Sequence, residues 1–310
     1  MKNAILLLAL ISPAFAGQQG KPCNIDATST GSKGGLTAKD FITPLDFKTI
    51  GGNPSVSKAA NRKAVRDYID KTVIKNKASY TLFNPTPDSQ LRELSPDRPD
   101  ATDSPLTVDA GRFALEASLF DYRRDAGIED YTYGSLNFKA GLTHNMDLQT
   151  VFDLYSGEEK LSDVTFRLKY NVWGNDGGDS AVAIMPFIKV PTGVTNSNDK
   201  WEGGVIIPWA TDLSDGVGLG LMAEIDYLYD GAKHRFEFLH TAVVGYDVAP
   251  KTGAYLEYIG IWKEDTYDAY AAGGMNYNVN DNLILDFGIQ TGLNSDAADF
   301  GFFTGFTKCF

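Results

Sequence analysis

From Arg112 to the C-terminus the chain alternates apolar and polar residues with period two, in segments of about ten residues. Leu283, Leu285, Phe287 and Ile289 fall on one face of such a segment, with Asp286, Gly288 and Gln290 opposite. Val164 to Val172 sets Val164, Phe166, Leu168, Tyr170 and Val172 against Thr165, Arg167, Lys169 and Asn171. Gly218 to Tyr227 sets Leu219, Leu221, Ala223, Ile225 and Tyr227 against Glu224 and Asp226. Long apolar stripes with charges opposite fit strands that meet lipid on one face and an aqueous lumen on the other.

The pattern predicts strands at 112–122, 131–142, 146–155, 163–172, 180–190, 203–213, 216–228, 234–247, 252–262, 268–278, 282–291 and 299–310. The fold class expected is all-β: an antiparallel transmembrane β-barrel of about 12 strands, preceded by a small, partly helical N-terminal periplasmic segment. An even count returns both barrel ends to the periplasmic side. Links after strands two, six and ten read as short turns, and those after one, five and eleven as longer polar loops. The link Trp173 to Asp179 is long for a periplasmic turn. In the last segment Phe300, Phe302, Phe306 and Phe310 share a face. A terminal aromatic on an alternating strand, here Phe306 and Phe310, resembles the signal read by barrel-assembly machinery. Lys308 departs from it and has a stem long enough to snorkel.

The N-terminus reads differently. Residues 1–16 form a signal peptide: Met1-Lys2-Asn3 is a short positive start, Ala4 to Ile11 an apolar run, and Ala14-Phe15-Ala16 a small-x-small cleavage pattern. That run is too short to span a bilayer, and no later stretch approaches ~20 apolar residues. An exported barrel in the cell outer membrane follows, with outer-membrane lipid and the assembly machinery as its surroundings. Residues 17–94 make an N-terminal segment, with a helix near 55–77 carrying Val56, Ala60, Ala64, Tyr68, Ile69 and Val73 on one stripe. A solvated helix with one face on its neighbour fits this better than a plug or membrane-surface helix. Residues 95–111 are a proline-rich acidic entry motif, and 112–310 the barrel.

Composition narrows the function classes. The formal net charge is −12, which disfavours a nucleic-acid partner. From Gly17 to Leu94 there are twelve Lys/Arg and seven Asp/Glu; from Ser95 onward there are fifteen and thirty-three, so two modules are indicated. The mean hydropathy of −0.21 suits a soluble protein and equally a barrel whose faces alternate. A soluble secreted β protein therefore stands as an alternative. Cys23 and Cys309 meet an oxidising compartment on export, so a disulfide and two free thiols are both open.

The run Ser95-Pro96-Asp97-Arg98-Pro99-Asp100-Ala101-Thr102-Asp103-Ser104-Pro105-Leu106-Thr107-Val108, followed by Gly111-Arg112-Phe113 and Glu116, resembles the opening motif of an outer-membrane transporter family labelled the phenol-degradation meta-pathway (MetA-like) family. The match is close over this motif and looser in strand rhythm to residue 310. The resemblance implies an outer-membrane barrel and passage of small, aromatic or hydrophobic compounds. Physically, Pro96, Pro99 and Pro105 stiffen the motif. Arg98, flanked by Asp97, Asp100 and Asp103, is expected to pair with one of them. Given the family pattern, a latch across the mouth or inside the lumen is favoured over a solvated charged linker.

Catalytic chemistry is not indicated. His144, His234 and His240 sit in no hydrolase motif, and no G-x-S-x-G elbow occurs. No metal or cofactor pattern is present; Asp176-Gly177-Gly178-Asp179 reads as a flexible turn. Candidates for selectivity are the charges predicted to face the lumen: Lys139, Asp153, Arg167, Lys169, Glu224, Asp226, Arg235, Glu237, Glu257 and Asp286. Opposed rows of acid and base orient polar solutes, or fill a narrow barrel with ion pairs. A passive channel for a small-molecule solute is the leading function, and a plugged structural or surface-interaction barrel the rival.

Overall fold

The structure, a computed structural model, describes residues 77–157 and 159–310. The signal peptide, Cys23 and the expected helix at 55–77 lie outside the described residues, apart from the last residue of that helix, Lys77. Residues 78–310 belong to one compact unit, and the first barrel strand starts at Phe113.

Thirteen strands run β1 (Phe113–Asp125), β2 (Ile128–Thr143), β3 (Met146–Ser156), β4 (Glu159–Lys160), β5 (Val164–Trp173), β6 (Ala181–Val190), β7 (Glu202–Ser214), β8 (Val217–Tyr229), β9 (His234–Ala249), β10 (Thr252–Trp262), β11 (Tyr267–Asn280), β12 (Leu283–Gly292) and β13 (Phe300–Cys309). β4 is a two-residue rung against the end of β3. The other twelve are the predicted segments, displaced by a few residues at their ends. Each pairs antiparallel with its chain neighbours, and β1 pairs with β13 from Ala114↔Cys309 to Arg124↔Phe300, which closes the ring. Closure gives each of the twelve long strands a partner on both sides.

β1 starts and β13 ends at the same end of the barrel, called here the near end. The near-end links after β2, β7, β9 and β11 hold two residues each. The link after β5 is the long exception anticipated at Trp173. One expectation fails at the far end: β1 and β2 are joined by Ala126-Gly127, not by a long loop. Both residues have positive φ, 48° and 84°, the geometry of a tight hairpin turn whose twist matches the strands. The polar residues read as loop are paired as strand instead, with Arg123↔Asp130 and Arg124↔Glu129 in register.

The wall is inside-out relative to a soluble protein. Leu221, Ile225, Leu256, Leu285, Phe287 and Ile289 are exposed on the outer face, while Lys139, Arg167, Lys169 and Glu224 are buried on the inner face. Placing this apolar belt in water would forfeit the gain that a hydrocarbon surround supplies, roughly 25 cal/mol per Å². The soluble-protein alternative is therefore excluded on physical grounds. Aromatic side chains gather toward the far rim: Phe120 packs on Tyr133, Tyr131 and Phe302, and Tyr122 on Tyr131 and Phe302. His234 stacks on Tyr227, and His240 on Phe238 and Tyr267. Leu285→Arg, in mid-strand on the outer face, is expected to cost about 2–4 kcal/mol of folding stability in lipid. Urea unfolding in vesicles measures it, and a change near zero would remove lipid from that face.

Candidate functional site

The lumen is occupied by the chain that precedes it. Residues 92–111 pass through the interior as an extended strap, with Asp97, Asp100, Thr102, Asp103 and Ser104 buried. Proline spacing explains the lack of regular structure, since the strap cannot donate a full ladder of backbone hydrogen bonds. Its remaining polar groups are met by side chains of the wall.

Asp97 is the most heavily bonded residue. One carboxylate oxygen, Oδ1, accepts from Lys169 Nζ at 2.6 Å and from the Ser104 amide at 2.9 Å. The other accepts from Lys139 Nζ and from Gln149 Nε2. Its backbone N–H donates to Glu116 Oε1 at 2.9 Å. Lys139 and Lys169 thus balance the buried Asp97 carboxylate from both of its oxygens. Glu116 closes the group by pairing with Lys139 at 2.6 Å.

Arg98 does not pair with the motif aspartates, contrary to expectation. Its guanidinium reaches the wall and binds Asp286 bidentately, Nε to Oδ2 at 3.0 Å and Nη2 to Oδ1 at 2.7 Å. The reason is geometric: neighbouring residues in an extended chain point apart, whereas the planar fork finds a fully facing carboxylate on β12. Phe303 lies under the guanidinium carbon at 5.8 Å. Gly305 makes the approach possible, because a Cβ there would collide with Arg98 Nη2 and with the Ala117 carbonyl.

Further along, the Ala101 amide and the Thr102 hydroxyl donate to the two oxygens of Glu257 at 2.8 and 2.7 Å. Thr102 also shares a hydrogen bond with Thr241. Asp103 faces Arg167 at 3.7 Å, and its amide points at Met222 Sδ at 3.3 Å. Asn171 donates to the Pro105 carbonyl, and Asp147 accepts from the Val108 amide.

At the near end Arg92 anchors the strap to two turns. It donates to the His144 and Thr107 carbonyls and pairs with Asp109 and Asp176. His144 Nε2 lies 2.8 Å from Asp176. The Asp176 loop is thus docked rather than free. His144 and Asp176 went unrecognised as partners of Arg92 because they lie 52 and 84 residues from it in sequence.

Of the predicted lumen charges, Lys139, Asp153, Arg167, Lys169, Glu224, Asp226, Glu257 and Asp286 are buried inside. Lys139, Lys169, Arg167, Glu257 and Asp286 meet the strap. Arg235 and Glu237 sit higher and are only half-buried; Arg235 pairs with Asp230 and Glu264 at the far rim. The charged lumen is one-sided. Met185, Ile206, Met222, Leu239, Val243 and Tyr255 form an apolar inner wall on β6–β10, against which Ala101 packs. This inner apolar wall escaped the period-two reading, since that reading assigned every inward position to water. Phe306 and Phe310 lie on the outer side of β13 and at its end. Cys309 is buried and is not a free thiol; its pairing with Cys23 falls outside the described residues and stays a proposal. Among the described residues no group of three His, Cys, Asp or Glu is set to hold a metal ion.

The family described as "Putative MetA-pathway of phenol degradation" matches residues 96–307. Among solved structures, the NanC porin superposes with a TM-score of 0.49 at 10% identity, covering 63% of this chain and 98% of its own. The KdgM porin gives 0.46 at 10% identity, covering 64% and 99%. A structure titled "CymD monoaromatic hydrocarbon channel" gives 0.31 at 12% identity, covering 60% and 53%. No curated protein sequence matches the chain.

Proposed function

We propose a function from one premise: the chain belongs to the family described as "Putative MetA-pathway of phenol degradation", over residues 96–307. The protein is an outer-membrane channel for passive passage of small molecules, with aromatic or hydrophobic compounds as the expected solutes, and its near end faces the periplasm. The observation that carries this reading is the inside-out wall around a lumen whose occupant, the strap, is held to its charged side by polar side chains. Such contacts can exchange for water, unlike an interdigitated apolar core. The strap then acts as a latch that sets how much of the lumen is open, with Asp97 and Arg98 as its wall anchors and Arg92 as its mouth anchor. The plugged structural barrel is the same architecture with a latch that never lifts.

Planar-bilayer recording separates the two. The native chain is expected to show small unitary currents. Arg92→Ala, which frees the strap at the mouth while leaving the Asp97 and Arg98 anchors, is expected to raise mean conductance several-fold. Silence in both chains, with the barrel shown to be folded by its faster migration before boiling, would leave only the plugged reading.

A further inference from the structure

A closed barrel has no edge strand, and a proline inside it withdraws an N–H that lipid cannot replace. Two prolines nevertheless stand inside adjacent strands of this wall, Pro186 on the outer face of β6 and Pro208 on the inner face of β7. Each keeps a cross-strand partner on one side, Val205 for Pro186 and Met222 for Pro208. On the other side the ladder stops. β5 and β6 pair from Val164↔Val190 to Arg167↔Phe187 and resume in the same register at Tyr170↔Ile184. β6 and β7 pair at Val182↔Trp209 and resume at Met185↔Ile206. Four consecutive residues of β6, 183–186, therefore each lack a partner on one side: Ala183 and Ile184 toward β7, Met185 and Pro186 toward β5.

The side chains around the two breaks decide what could cross there. A comparable break between β1 and β2, at Leu119 and Phe120, is bridged by the packed rings of Phe120, Tyr133 and Phe302. The breaks beside β6 are lined by aliphatic groups instead. Ala183, Met185 and Ile206 are fully buried on the inner face, and Ile184, Val205 and Ile207 are exposed on the outer one. Met185 and Ile206 belong to the apolar inner wall, so the weakened ladder lies where the lumen is least polar. Phe187, the next inward residue of β6, lies over Gly204 of β7, where an added Cβ would come within 2.7 Å of its ring. The ring therefore rests on bare backbone, and no β7 side chain at that position has to move with it. Where a ladder has fewer hydrogen bonds to break, local opening costs less. A charged or strongly polar molecule would lose its hydration on entering hydrocarbon here, whereas an uncharged apolar one passes from one apolar surface to another.

We propose that β6 is a lateral gate: small uncharged apolar molecules pass between the lumen and the surrounding hydrocarbon through the seam at residues 183–186. The gate rests on the channel reading for its solutes and adds the place where they cross the wall. Passage through the seam can be measured whether or not ionic current flows along the axis.

The test uses 3-trifluoromethyl-3-phenyldiazirine, an uncharged aromatic that dissolves in lipid and, when illuminated, loses dinitrogen and inserts into nearby side chains. It is added to vesicles carrying the full-length folded barrel, and labelled residues are read by fragmentation mass spectrometry. The native chain is expected to be labelled on the inner face at Met185 and Met222 as well as on the outer face at Leu285. Pro186→Val with Pro208→Val restores two N–H groups on residues suited to strands. This double variant is expected to lower inner labelling, relative to Leu285, by about tenfold, the effect of one to two net hydrogen bonds on an opening equilibrium. Equal inner labelling in both chains would mean entry along the axis and would overturn the gate while leaving the channel. A native inner face without label would overturn it as well. Proline-dependent labelling of a barrel that carries no current would uphold the gate and overturn the axial channel. Should the double variant not migrate as a folded barrel, hydrogen exchange on the native chain decides. The amides of Ala183, Ile184 and Met185 are then expected to exchange about tenfold faster than those of Leu221, Met222 and Ala223, whose ladders are complete on both sides, and equal protection would overturn the proposal.

Discussion

Asp97→Ala is expected to destabilise the folded barrel by about 3–5 kcal/mol, the usual cost of breaking a buried ion pair from one side. The mechanism is desolvation rather than lost attraction alone. Lys139 and Lys169 are 3% and 0% exposed, and both ammonium groups point at this one carboxylate. Among the described residues, removing it leaves Lys169 with no carboxylate in salt-bridge contact and Lys139 with Glu116 only. The Ser104 amide and Gln149 lose an acceptor as well. Asp97→Asn keeps the shape and one acceptor, so it should cost less, and the difference isolates the charge. The temperature at which the fast-migrating folded band converts to the slow band measures the loss. Restoring balance with Lys169→Met in the Asp97→Ala background should recover part of it, since an apolar side chain in a buried site avoids the unpaired charge. An unchanged transition in Asp97→Ala would mean the strap contributes nothing to the fold.

Much of this architecture was legible from residue order, for a physical reason. A strand between lipid and a polar lumen must alternate strictly, so Leu283 to Gln290 and Val164 to Val172 declare both their element and their facing. Ten charges were assigned inward on that basis, and eight are buried there. Turn chemistry was less legible. Ala126-Gly127 carries no Asn-Gly signature, so a two-residue hairpin was read as a loop. Partnership was the least legible. Arg98 lies beside three aspartates in the chain, yet bonds Asp286, 188 residues away. Local sequence reports which charges are near along the backbone, and extended backbone sends neighbours to opposite sides. One signal was available for the strap's path: Gly305 sits at an inward position of β13, where a Cβ would meet Arg98. A glycine on the inner face of a strand marks a close approach from inside.

Arg98 and Asp286 are expected to behave as one unit rather than as two contributions. Arg98→Ala leaves Asp286 buried at 5% exposure beside an empty notch at Gly305; Asp286→Ala leaves a buried guanidinium. Each single change should cost about 3–5 kcal/mol. The double change removes both charges and should cost well under the sum, giving a coupling of about 1.5–3 kcal/mol in a double-mutant cycle. Arg98→Lys should resemble Arg98→Ala more than the native chain, because an ammonium cannot make both hydrogen bonds of the fork or lie flat on Phe303. The functional consequence separates a latch from a simple brace. If the pair holds a movable strap, single variants conduct more than native and the double variant conducts most. If the pair only braces the wall, conductance stays at the native level in every variant that migrates as a folded barrel, and additive stabilities would show that strap and wall are not joined at this point.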